Sequence, residues 1–248
     1  VFTLPTSEPK ELVHQIRETG SRILVTLPHF HALLQQLSQQ ASPQVDWPLQ
    51  HVILARPEEY LPIHKRLLLR MRQAVISQAA KPGEPAADAQ ESHGLHNFQA
   101  VISQAAIRNV RGEAVSLHAS PTSLAVIQYT GGTTARPKGV MLSHRNLVAN
   151  TLQTRHWIPD AREGYERFLC VLPFAHSYGL TAALNVPVAL GAELIIKAKF
   201  DTRDILQTIA RQRPTIFPGV PQMYVAIKDY PGVRRFGVQS IKACISGA

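Results

Sequence analysis

Short apolar runs that alternate with helix-like stretches constrain this chain most. RILVT (Arg22–Thr26), HVILA (His51–Ala55), LAVIQYT (Leu124–Thr130), Phe168–Leu172, Ala192–Lys197, Pro214–Phe217 and Ile241–Ser246 read as buried strands. Between them, Glu8–Thr19 reads as a helix with Pro9 early and Gly20 as its C-terminal stop. Pro28–Gln39 is a second helix, and Ser143 caps a third that runs to His156. A small-residue helix follows Phe168–Leu172, Asp201 caps a helix ending near Arg213, and another helix precedes Ile241. This rhythm predicts an α/β fold whose largely parallel sheet layers are flanked by helices. It also places Thr130–Lys138 as a loop at the carboxyl end of a strand, where open α/β sheets bind ligands.

Residues 56–120 break the rhythm. Lys65–Arg72 sets four basic residues around Leu67, Leu68, Leu69 and Met71. A solvated helix face with an apolar underside is the plainer reading, and a basic helix lying on a membrane is the other. Lys81–His96, rich in Pro, Ala and Gly, reads as a loop. The octapeptide QAVISQAA occurs twice, at Gln73–Ala80 and Gln99–Ala106, which is too little for a repeat fold and reads as a local duplication.

A net charge of +9 favours anionic partners such as nucleotide phosphates, nucleic acid or an acidic membrane surface. The basic residues are dispersed and form no nucleic-acid motif, so nucleic acid is not expected as a partner. Two distant cysteines, Cys170 and Cys244, make neither a disulfide framework nor a zinc pattern and point to a reducing compartment. No apolar run reaches the ~18 residues of a membrane span, and Thr181–Ile196 is broken by Asn185, Pro187 and Glu193. The chain starts at Val1 with no visible leader, which reads as a missing native start and a cytoplasmic protein.

The stretch YTGGTTARPKGVMLSH (Tyr129–His144) carries the chemistry. Its glycines let backbone N–H groups approach a polyphosphate closely, its threonine hydroxyls donate hydrogen bonds or ligate a metal, and Lys138 adds a point charge. The order Lys138-Gly139-Val140 is not that of a Walker loop, and no G-x-G-x-x-G is present. By composition alone, an ordinary Gly/Thr turn fits equally well.

The string itself resembles the signature loop of the adenylate-forming superfamily, which includes acyl-CoA synthetases, luciferases and peptide-synthetase adenylation domains. The usual form there is Y-T-S-G-T-T-G-x-P-K-G. Two adjacent glycines, Gln128 before them and MLSHRNLVAN after, are most similar to bacterial long-chain fatty-acid–CoA ligases. LPFAHSYG (Leu172–Gly179), FPGVPQMYVAI (Phe217–Ile227), SIKACISGA (Ser240–Ala248) and ELVHQIRETGSRILVT extend the resemblance over most of the chain.

The resemblance implies ATP-dependent activation of a long-chain fatty acid to acyl-AMP and then acyl-CoA, with ATP, Mg²⁺ and CoA. Lys138 and His176 are the implied catalytic residues. Thr130 is the implied Mg²⁺ ligand. Thr130, Gly131, Gly132, Thr133, Thr134, Lys138 and Gly139 match phosphate-gripping positions, and Gly247 and Ala248 match the start of an adenine-contacting turn. His176, Gly219, Val220, Pro221 and Tyr224 match positions along the acyl or adenosine pocket; a satisfied core or surface residue is the alternative for the lone histidine and core packing for the other four, with both readings compatible at Val220 and Tyr224. Ala135 departs from the family's glycine and would cost ~1–2 kcal/mol if that position needs a positive φ. Leu180 departs from an aromatic gate residue.

On this reading residues 1–248 are a partial AMP-binding N-terminal domain without its small C-terminal domain, and the isolated chain is inactive. Acyl-AMP ligase chemistry, peptide-synthetase-type adenylation and a non-catalytic nucleotide-binding remnant are the alternatives. Peripheral membrane contact and a homodimer stay open.

Overall fold

The computed structural model of the chain describes residues 1, 3, 8–28, 30, 48–61, 94–110, 119–130, 137–158 and 160–247. Most of the helix expected over 28–39, the basic stretch Lys65–Arg72 and the first QAVISQAA copy lie outside the described residues. So do Gly131, Gly132, Thr133, Thr134, Ala135 and Ala248. Contacts divide the chain into two compact units, Ser7–Leu117 and Val1–Thr6 with His118–Ala248. Among the described residues no helix is long and apolar enough to cross a membrane.

In the first unit, helix α1 (Pro9–Thr19) has proline in its opening turn, where a missing N–H leaves no bond unmade. It ends at Gly20, which is left-handed at φ 60°. The Gly20 and Ser21 amides return to the Arg17 and Ile16 carbonyls and close the helix end. Strands β1 (Ile23–Thr26), β2 (His51–Leu54) and β3 (Leu95–Asn97) form a parallel sheet in that order, with Ile23 opposite His51 and Val52 opposite Leu95. Strand β3 corrects the expected loop through His96. Its three residues, LHN, have no apolar pattern, and backbone pairing with β2 makes them a strand. The Asn97 side chain accepts from the Ala100 amide at 3.1 Å and starts helix α2 (Phe98–Val110), which contains the second octapeptide copy.

The second unit begins with an antiparallel hairpin of β4 (Leu124–Thr130) and β5 (Lys138–Ser143). Thr130 stands opposite Lys138, so both end residues of the expected loop belong to strands, and residues 131–136 between them lie outside the described residues. Ser143 closes β5 and caps helix α3 (His144–His156). Its hydroxyl accepts from the Asn146 amide at 3.2 Å, and Asn146 Oδ1 accepts from the Ser143 amide at 2.9 Å.

A four-stranded parallel sheet follows, ordered β7 (Glu193–Ile196), β6 (Arg167–Cys170), β8 (Ile216–Gly219), β9 (Ala243–Ser246). Strand β6 reads as an unbroken apolar run because both of its faces are covered. Phe168 and Cys170 pack with Ala183, Val186 and Leu190 from the π-helical turn Gly179–Asn185 and helix α4 (Val186–Ala189). Leu169 and Val171 pack with Ile205, Leu206 and Ile209 of helix α5 (Thr202–Gln212), which Asp201 caps as expected. Pro187 has no N–H to offer the Ala183 carbonyl four residues back, and the buried Cys170 thiol donates to that carbonyl at 3.1 Å.

The chain passes from β6 to β7 on one side, then to β8 and β9 on the other. The strand order therefore reverses between β6 and β8, and the carboxyl end of such a switch point is where open α/β sheets bind ligands. The amino ends are fastened. Glu166, Thr215 and Lys242 each precede β6, β8 or β9 by one residue, and the Glu166 side chain is fully buried. It accepts from the Arg162 amide at 3.0 Å, from the Thr215 hydroxyl and from Lys242 Nζ at 3.1 Å. Burial works against its charge, but the bonds from Thr215, Arg162 and Lys242, with the charge of Lys242, outweigh it and hold the carboxyl below its ordinary 4.5.

Candidate functional site

The loop-bearing hairpin presents Thr130 and Lys138 side by side, both exposed, with the Thr130 hydroxyl 3.5 Å from the Lys138 carbonyl. Gly139 follows, and a Cβ on it would stand 3.0 Å from Ile127 Cγ2 and 3.3 Å from the Tyr129 ring, so a side chain there would require those two to shift. A hydroxyl, an ammonium group and a glycine-rich segment at one hairpin end suit a polyanion.

His176 lies in the turn between β6 and the π-helical segment. Its amide donates to Pro173 O at 3.1 Å and its carbonyl accepts from Leu180 N at 2.8 Å. Gly179 lets the turn close, since a Cβ there would stand 2.1 Å from the Pro173 carbonyl oxygen. The imidazole is exposed, and its Nδ1 accepts from the Tyr178 amide at 3.2 Å. While that bond stands, Nε2 carries the ring proton and is an outward-facing donor. Leu180, at the expected gate position, is buried in the core.

Gly219, Val220, Pro221 and Tyr224 lie where β8 passes into helix α6 (Pro221–Lys228). Val220 packs against the core beneath the π-helical turn. Tyr224 turns its hydroxyl inward, to the carbonyls of Phe217 at 2.8 Å and Ile245 at 2.6 Å. Burial pushes its ionisation well above the ordinary 10.0. What Tyr224 offers a ligand is therefore ring surface, not a hydroxyl. Gly247 follows β9, and a Cβ on it would stand 3.7 Å from the Tyr178 ring.

Two residues outside the expected set join these parts. Tyr178 directs its hydroxyl to the carbonyls of Gly219 and Ile245, so the His176 turn is tied to the carboxyl ends of β8 and β9. Gln128, on β4, donates from Nε2 to the Ala175 carbonyl at 2.7 Å and so ties the hairpin to the same turn. A polar side chain inside the apolar run LAVIQYT was the one local signal for Gln128; Tyr178 has none. Thr130, Lys138, His176, Gly219 and Gly247 thus lie on strand ends and turns that these bonds join. A separate cavity of about 330 Å³ runs along β9, lined by Cys244 and Ser246 with Glu166 and Lys242, and includes none of the expected site residues.

The whole chain, residues 1–248, matches the AMP-binding enzyme family. A long-chain-fatty-acid–CoA ligase of Bacillus subtilis (strain 168) is 32% identical over 253 residues, which cover 100% of this chain and 41% of the relative's length. The 4-coumarate–CoA ligase 2 of Solanum tuberosum is 32% identical over 148 residues, 57% of this chain and 26% of its own. The crystal structure of ATP-bound MatB from Rhodopseudomonas palustris aligns with a TM-score of 0.66 at 23% identity, over 99% of this chain and 39% of that one. That likeness establishes the fold. The chain spans about two-fifths of the length of the first of these relatives.

Proposed function

The chain belongs to the AMP-binding enzyme family, and on that premise we propose that it serves the ATP-dependent activation of a carboxylic acid, with a long-chain fatty acid as acyl substrate. The acid's carboxylate oxygen attacks the α-phosphorus of ATP. The bond from that phosphorus to the bridging oxygen breaks, giving acyl-AMP and pyrophosphate. The CoA sulfur then attacks the acyl carbonyl, AMP leaves with the bonding electrons, and the thiol proton passes to solvent. Such chemistry needs little from the protein beyond positioning and charge neutralisation.

The observation that carries this reading is the hairpin: exposed Thr130 and Lys138 in register beside the signature loop, tied through Gln128 to the turn that bears His176. Thr130, Gly131, Gly132, Thr133, Thr134, Lys138 and Gly139 grip the phosphates. The Nε2–H of His176 faces the reacting carboxyl group. Gly219, Val220, Pro221 and the Tyr224 ring line the acyl and adenosine pocket, and Gly247 and Ala248 begin the adenine turn. The exposed Thr130 hydroxyl would hold Mg²⁺ as one of its ligands. Bound there, the ion neutralises phosphate charge. Cys170 and Cys244 are both free thiols, which suits the cytoplasm as the protein's setting.

The fatty acid is favoured because the Bacillus ligase aligns over 100% of this chain, whereas the 4-coumarate ligase aligns over 57%. The latter makes an aromatic acid the second reading. Acid-dependent exchange of labelled pyrophosphate into ATP, run with fatty acids of graded length and with 4-coumarate, tests both. Exchange with no carboxylic acid at all, in protein that binds ATP, would overturn the proposal. Purified as 248 residues, the chain is expected to bind nucleotide without forming acyl-CoA, and acyl-CoA from that preparation would overturn this part.

A further inference from the structure

Gln128 is the most interior residue of β4, 8% exposed in a strand otherwise exposed or half-buried. An apolar β-branched residue is the ordinary occupant of such a position. Its Nε2 reaches across 47 positions of sequence to the Ala175 carbonyl at 2.7 Å, while its Oε1 is buried and has no hydrogen-bond partner among the described residues. A buried acceptor left without a donor opposes folding, so stability alone does not account for a glutamine here.

The residue after Ala175 is His176. On its other side Tyr178 donates its amide to the imidazole Nδ1 and sends its hydroxyl to Gly219 and Ile245. The imidazole thus stands between two anchors, Gln128 tying its turn to the hairpin and Tyr178 tying it to the sheet. We propose that Gln128 is a positioning residue that fixes where the His176 turn stands relative to the Thr130–Lys138 hairpin. The kinetic consequence rests on the function proposed above; the positioning does not.

Gln128→Met, in the intact protein that carries this chain, keeps the length of the side chain and removes both the donor and the orphan acceptor. Gln128→Leu is a second apolar replacement should the first fail to fold. The midpoint of urea unfolding is expected to stay or rise. Amide hydrogen exchange at Phe174–Tyr178 is expected to accelerate about tenfold, the equivalent of one lost hydrogen bond. Wild-type exchange at this turn in a folded variant would overturn the proposal, whatever the activity. In acid-dependent pyrophosphate exchange, kcat/KM for the acid should fall about tenfold with the KM for ATP unchanged. Equal losses for acid and ATP would mark a general structural role and would also overturn it. A wild-type protein without any such exchange activity would sink the proposed function and leave the hydrogen-exchange result to decide the role of Gln128.

Discussion

Replacing Glu166 by alanine should unfasten the amino ends of β6, β8 and β9 together. The side chain is fully buried and receives the Arg162 amide, the Thr215 hydroxyl and Lys242 Nζ. Its loss leaves the Arg162 amide without its acceptor and the Thr215 hydroxyl with only the Arg167 carbonyl at 3.4 Å, at about 1–2 kcal/mol each. Lys242 is 45% exposed, so water takes over its charge and its share is at most about 1 kcal/mol. The expected total is about 2–5 kcal/mol, a large part of the ~5–15 kcal/mol that holds a domain folded. Glu166→Gln keeps the shape and one acceptor and should cost about 1–2 kcal/mol. Urea unfolding at pH 7 measures both. The pH dependence supplies a separate check. The folded carboxyl titrates below the ordinary 4.5, so near that pH the unfolded chain binds more protons and stability rises with pH. The carboxylate's contribution is complete above 4.5 and is lost as pH falls through the lowered folded value. The gap between wild type and Glu166→Gln should therefore close on acidification. Glu166→Ala within 1 kcal/mol of wild type, or a gap that stays constant down to pH ~3, would refute the reasoning.

Under the proposed function, Lys138→Ala should slow pyrophosphate exchange on the order of 10²-fold and shift unfolding by less than about 0.5 kcal/mol, because the side chain is exposed; unchanged exchange would remove Lys138 from the mechanism. Gly179→Ala should cost about 3 kcal/mol in urea unfolding, since the new Cβ would meet the Pro173 oxygen at 2.1 Å, and wild-type stability would show that the turn yields. In the native state a thiol reagent should modify Cys244 alone. Burial pushes the Cys170 thiol up to about 12 and holds Cys244 above 9.0, so the Cys244 rate should still be climbing past pH 9. Two thiols reacting at similar rates before denaturation would contradict the packing of β6.

The elements with local punctuation were legible before any coordinates. Gly20, Ser143 and Asp201 end or start helices where expected, and β4 has the predicted limits at both ends. Strands β3 and β5 were not legible. LHN has no apolar pattern, and KGVMLS opens with Lys-Gly, so in both cases a partner strand supplies what composition lacks. In the candidate site, the signature string marked the hairpin because its residues are neighbours in sequence. The bonds that assemble the rest join Gln128 to Ala175 across 47 positions and Tyr178 to Ile245 across 67. Contacts of that span leave no periodicity to read. Glu166 was missed for the same reason, since an acidic residue before a strand looks solvated until Thr215 and Lys242 are brought to it.

The fastening at the amino ends also bears on how readily this scaffold can be redesigned. Glu166, Thr215 and Lys242 enter β6, β8 and β9, whereas His176, Val220 and Gly247 follow the same strands. Four residues of strand, roughly 13 Å, separate the two groups. Substitutions that far apart and without shared partners combine additively. Under the proposed function, a library that randomises the loops after these strands can therefore be selected for new acids while stability is raised separately, by optimising the pocket around Glu166. Strengthening that end first gives the reserve that specificity-changing and usually destabilising substitutions consume.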